Sequence, residues 1–197
     1  MSRFNFLFVF TFLMILWSCQ KPYKFYGHVV DLPAYDFELT NQDGKREKLS
    51  QLLGKDKVAL IFFGYTNCPD VCPDTLQRLA TMYKKLSPEE QKRVKVIFIS
   101  VDPERDTPQQ LKGYVPFFNP NFMGFTGTPD EIRNVAKEYK VYYRKVENSG
   151  SAVGYLVDHT ASVYLVTPDM KIKAIYTPGK QDPDKMAEDL RYILRSL

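Results

Sequence analysis

The chain has 197 residues, 44% of them hydrophobic and 25% charged, with a net charge of +4. That is ordinary globular composition and enough length for one domain with a core of its own, so its cysteines are not needed to hold the fold. No dense basic run is present, which sets nucleic-acid binding aside.

Arg3 precedes an apolar run over residues 4–17, broken only by Asn5 and Thr11. A bilayer span needs roughly 20 residues, so this shorter run after a basic start reads as an export signal over residues 1–18. It ends Leu16-Trp17-Ser18-Cys19, which resembles the lipobox of bacterial lipoproteins, where the cysteine after a small residue is lipidated. Trp17 departs from the small residues usual at that point, and an uncleaved membrane anchor is the alternative. Lipidation at Cys19 would place the protein in the bacterial cell envelope, anchored to a membrane. Residues 19–27 would then be a tether and residues 28–197 the domain. Loss of Arg3 with the leader would lower the net charge from +4 to +3. Export also implies an oxidising compartment, where a spare thiol pair tends to become a disulfide.

Along the domain, His28 reads as ordinary surface. Residues 35–39 alternate apolar and polar, and Asn41-Gln42-Asp43-Gly44 supplies turn chemistry, so an N-terminal β-hairpin is expected. Strands are then expected at 58–63 and 94–99, near 122–125 and 141–146, and at 161–166 and 171–176. Helices are expected at 74–86, 108–115, 129–139 and 183–197. Strands interleaved with helices argue for an α/β sandwich with a partly parallel sheet. In such folds sites lie beyond the carboxyl ends of strands. The run Cys68-Pro69-Asp70-Val71-Cys72-Pro73 occupies that place after the first long apolar strand.

A thiol pair there can do redox chemistry, bind a soft metal, do both, or simply form a structural disulfide. Proline suits the first helical position and disrupts the interior. This predicts a helix starting at Pro73, capped by Cys72, with Cys68 in a turn before it. The helix dipole would then favour thiolate at Cys72. Thioredoxins carry C-x-x-C after Trp, whereas this loop has one more residue and Asn67 before it. Peroxiredoxins need P-x-x-x-T-x-x-C, but Tyr65 and Pro69 stand where Pro and Thr would be.

The loop resembles that of the Sco/SenC family of copper-binding, thioredoxin-like proteins. The resemblance rests on F-F-G-Y-T before C-P-D-V-C-P and on Ser100-Val101-Asp102-Pro103-Glu104-Arg105-Asp106-Thr107-Pro108. It continues through Gly124-Phe125-Thr126-Gly127 and Val157-Asp158-His159-Thr160, spanning roughly residues 30–195. It implies a thioredoxin-like sandwich with an N-terminal β-hairpin extension and a copper site of Cys68, Cys72 and His159. The same two cysteines would form a Cys68–Cys72 disulfide that blocks loading. The implied role is a copper chaperone that delivers the ion to the dinuclear copper (CuA) centre of cytochrome c oxidase subunit II. Other copper chaperones would be partners. The alternative is a thiol–disulfide oxidoreductase that uses Cys68 and Cys72 as its redox pair to reduce the acceptor's cysteines.

Two soft thiolates and an imidazole suit Cu(I); Cu(II) would add a weaker fourth donor. Asp158 is a candidate for orienting His159. Asp102 and Asp106 are candidates for a role near the site mouth or at a partner surface, but Asp106 or Thr107 before Pro108 reads foremost as a helix cap. Met82, Met123 and Met170 read as filler.

Overall fold

The computed structural model describes residues 23–147 and 154–197. The expected signal (1–18) and the lipidation site Cys19 lie outside the described residues. Strands β1 (His28–Pro33), β2 (Glu38–Asn41) and β3 (Arg46–Lys48) come first, then helix α1 (Leu49–Leu53). A β4–α2–α3–β5 unit follows: Val58–Gly64, Val71–Lys84, Pro88–Lys92 and Val94–Ser100. Next are α4 (Pro108–Phe118), β6 (Met123–Thr126), α5 (Pro129–Glu138), β7 (Tyr143–Glu147) and β8 (Tyr155–His159). The chain closes with β9 (Val163–Thr167), β10 (Lys171–Tyr176), a 3₁₀ turn (Pro178–Lys180) and α6 (Pro183–Ser196).

Among the described residues, eight strands form one sheet in the order β1-β10-β9-β4-β5-β6-β2-β3, while β7 and β8 pair separately. Strands β4, β5 and β6 run parallel, and the outer pairings are antiparallel. Every residue of β4 is buried, as expected of a strand covered on both faces. Successive side chains point to opposite faces. Phe62 packs toward Phe98, which meets Tyr114 of α4, whereas Phe63 meets Tyr139 just after α5. The fold is thus the expected α/β sandwich.

Caps fix where helices begin. Thr107, Thr128 and Asp182 each accept from backbone N–H groups of the first turn, and each is followed by proline. The hairpin of β2 and β3 turns through Gly44 at φ 78°, with Asn41 Oδ1 accepting from Asp43 N and Lys45 N. It is no appendage, since β2 pairs with β6 and extends the main sheet. Strand β1 is not expected from its sequence, which ends in proline at a sheet edge.

The described part of the expected tether packs down. Asp189, fully buried in α6, accepts from Tyr23 Oη, Tyr26 N, Gly27 N and Tyr176 Oη. Tyr23 also stacks on Tyr192 at 4.2 Å. Among the described residues no helix is long and apolar enough to cross a membrane.

Candidate metal centre

The site grows from the carboxyl end of β4. Gly64 closes that strand, and a Cβ there would lie 2.8 Å from Cys72 Sγ and 2.8 Å from Phe98. Only glycine lets the thiol sit against the strand. Helix α2 begins at Val71, two residues earlier than the proline argument predicts, with Asp70 as N-cap. Pro73 is then the third helical residue. The first four helical N–H groups have no partner inside the helix, so its missing donor forfeits nothing.

This boundary reverses the predicted roles of the thiols. The Cys72 side chain turns back into the core and is fully buried. Its backbone N–H points outward and donates to Cys68 Sγ at 3.4 Å. The helix terminus therefore serves Cys68. A hydrogen bond from the Cys72 thiol lowers the Cys68 pKa most. Burial opposes it, while His159 and the backbone N–H groups of Asp70 and Cys72 assist; the result is about 4. Burial, before any other cause, pushes Cys72 far up, and the neighbouring Cys68 adds to it. Cys68 is the thiolate and Cys72 the thiol. Both are free here, with no bond between them.

His159 ends β8, a strand that lies between those expected at 141–146 and 161–166. Its Nε2 lies 3.2 Å from Cys72 Sγ. Its Nδ1 lies 3.2 Å from the carbonyl of Thr160, which can only accept, so Nδ1 carries a proton and Nε2 is the ring atom that faces Cys72. Asp158 does not orient the ring; it is exposed and pairs with Arg144 at 3.0 Å. Edges of Phe62 and Tyr65 wall the imidazole, with centroids at 6.1 and 5.9 Å. The ligand atoms of Cys68, Cys72 and His159 all lie within 4.8 Å of one another. The cleft above them is lined by Pro69, Val71, Leu156 and Val157, with Asp70 and Asp158 at its rim.

Asp102 and Asp106 are both fully buried and touch no ligand atom in this arrangement. Asp106 accepts from Thr66 N, Thr66 Oγ1 and Ser100 Oγ, which pins the start of the cysteine loop to the end of β5. The cap of α4 is Thr107. Asp102 binds Arg105 and accepts from Tyr155 Oη at 2.7 Å. Arg105 also donates to the carbonyl of Tyr155 and lies 3.7 Å over its ring, so this pair holds the strand that carries His159. Met82 is core, and Met123 and Met170 pack against it.

A parallel β4–α2–β5 unit with a C-x₃-C pair at its carboxyl edge, facing an imidazole, defines a thioredoxin-like protein with a thiol–thiol–imidazole cluster. Residues 31–195 match the SCO1/SenC family model, and the chain belongs to that family. It is 46% identical over 153 residues to protein SCO1 homolog 1, mitochondrial, of Arabidopsis thaliana, a match covering 77% of this chain and 44% of that protein. The chain thus spans under half the length of that relative. The structure of Arabidopsis thaliana ScoI with copper bound is 40% identical, with a TM-score of 0.75, covering 83% of this chain and 99% of that one. BsSco, described as a member of the Sco family of cytochrome c oxidase assembly proteins with a disulfide switch, is 31% identical. Its TM-score is 0.65, covering 86% of this chain and 97% of that one.

Proposed function

We propose that this protein binds one copper ion through Cys68, Cys72 and His159 and delivers it to the CuA centre of cytochrome c oxidase subunit II. The observation that carries the reading is the convergence of two sulfurs and an imidazole nitrogen within 4.8 Å. That donor set is soft and three-coordinate, as Cu(I) prefers. The copper-bound Arabidopsis relative supports the choice of metal, and the description of BsSco supports the assembly role. Loading expels the Cys72 proton, so uptake is favoured by rising pH. A Cys68–Cys72 disulfide would remove both sulfur ligands and block it. Transfer proceeds by exchange of these ligands for thiols and imidazoles of the acceptor. Other copper chaperones would supply the ion, and a lipid on Cys19 would hold the domain at the envelope membrane.

The split between the thiols favours a second reading, reduction of the acceptor. The Cys68 thiolate attacks one sulfur of an acceptor disulfide and releases the other as a thiolate. Cys72 then gives up its proton and attacks Cys68, which breaks the mixed disulfide and releases the acceptor's first sulfur as a thiolate. The acceptor gains two electrons, and the Cys68–Cys72 disulfide forms.

Cu(I) competition titration of the reduced domain, wild type beside His159→Ala, separates the two. Chaperone function predicts one ion bound, an affinity loss of about 100-fold in the variant, and transfer to a soluble subunit II domain. Unchanged affinity in the variant together with rapid turnover of an acceptor disulfide would favour the reductase instead.

A further inference from the structure

Cys72 and His159 are 87 positions apart, and their 3.2 Å approach must be set by something that ties α2 to the end of β8. The side chain of Gln181, in the loop after the 3₁₀ turn and outside every motif of the site, makes that tie. It is 4% exposed, and both ends of its amide are used. Nε2 donates to the carbonyl of Ala161 at 2.8 Å and to that of Tyr176 at 3.2 Å. Oε1 accepts from Thr75 Oγ1 at 3.2 Å.

The two partners matter by position. Thr75 follows Cys72 by three residues, which puts it on the same face of the first turns of α2. A helical threonine commonly bonds back to a carbonyl of its own helix, yet this buried hydroxyl reaches out to Gln181. Ala161 follows His159 by two residues, and the carbonyl between them, that of Thr160, sets the imidazole. Tyr176 is the last residue of β10 and pairs with Val163 of β9. One planar amide therefore joins the cysteine helix, the segment leaving the histidine, and the sheet.

We infer that Gln181 is a positioning residue for the metal site: it sets the distance and orientation of His159 relative to Cys72 without touching the ion. The inference rests on the three-ligand copper reading. Glutamine fits because the tie needs both a donor for two carbonyls and an acceptor for a hydroxyl. Glutamate would keep the acceptor and turn an oxygen against the carbonyls; methionine would keep the volume and lose every bond.

The test is Cu(I) competition titration of the reduced protein for wild type, Gln181→Met, Thr75→Val, His159→Ala and the double variant Gln181→Met/His159→Ala. Gln181→Met is expected to weaken binding by about 10-fold or more, as loss of a residue supporting a metal ligand does, and Thr75→Val by less. In the His159→Ala background the Gln181 change should cost nothing further, because the ligand it places is gone. The equilibrium of the Cys68–Cys72 disulfide with a dithiol, in which the histidine is not a ligand, should shift by far less than the copper affinity, and a shift as large would mark general loosening and overturn the inference. Thr75→Val removes a single tie and serves if Gln181→Met does not fold. Wild-type affinity in both variants would overturn the inference and leave the copper reading standing. So would a loss that persists undiminished without His159, because it would mark general loosening. Wild type that takes up no Cu(I) would overturn the copper reading and this inference together.

Discussion

Cys72 and His159 come within 3.2 Å of each other from supports of opposite kinds. Cys72 rides on the first turn of α2, fully buried against Gly64 and Phe98, and its position is part of core packing. His159 ends a two-stranded ribbon of β7 and β8 that lies outside the eight-stranded sheet. Surface ion pairs, Arg144 with Asp158 and Lys145 with Glu104, decorate that ribbon and contribute little. Val157 packs it onto the core, and polar ties hold its ends: Asp102 and Arg105 at Tyr155, and Gln181 at Ala161. A close-packed core is stiff, whereas hydrogen bonds at one edge can be exchanged. The Cys72 ligand is thus preformed, and the imidazole side is a part that can yield when a ligand is handed over.

The largest effect should come from disturbing the packed side. Gly64→Ala places a methyl 2.8 Å from Cys72 Sγ and Phe98, both anchored in the core. Overpacking there should cost about 2–3 kcal/mol in urea unfolding of the reduced, metal-free protein. Stability equal to wild type would show that Cys72 is not held by packing. A smaller effect is expected on the tied side. Tyr155→Phe removes one hydrogen bond to buried Asp102 and keeps the ring under Arg105. Stability should fall by about 1 kcal/mol, and Cu(I) affinity should fall with it. Affinity unmoved by this change would detach the Asp102–Arg105 pair from the histidine.

The smallest intervention sharpens the contrast between the thiols. A group with a lowered pKa keeps its charged form as pH falls. In the metal-free protein, Cys68 should therefore alkylate with iodoacetamide at pH 6, where an ordinary thiol near 8.5 is almost wholly protonated. Cys72, buried and raised, should stay unlabelled. Equal labelling of the two at pH 6 would contradict the assignment of thiolate to Cys68.

What could be seen in the chain beforehand follows the same division. The buried strand before the cysteines, the capped helices after Thr107, Thr128 and Asp182, and the donor types Cys68, Cys72 and His159 are all written as local patterns. The start of α2 is not legible from Pro73, because the third helical position tolerates proline as the first does. Nor is the thiolate legible: the dipole favours Cys72, and the burial that overrides it comes only with the fold. Segments α1 and α3, of five residues each, are too short for periodicity to show. Strand β8, Tyr-Leu-Val-Asp-His, gains its identity by pairing with β7. Gln181 carries no local signal at all, since its three partners come from elements far apart in sequence.

The central claim is that the core-held Cys72, the loop thiolate Cys68 and the tied imidazole ligate one ion together. Copper-edge X-ray absorption of the Cu(I)-loaded protein, wild type beside His159→Ala, tests it most directly. The account predicts two sulfur neighbours and one nitrogen in wild type, with the nitrogen lost in the variant. Sulfur-only coordination in wild type, or identical spectra for the two proteins, would contradict it.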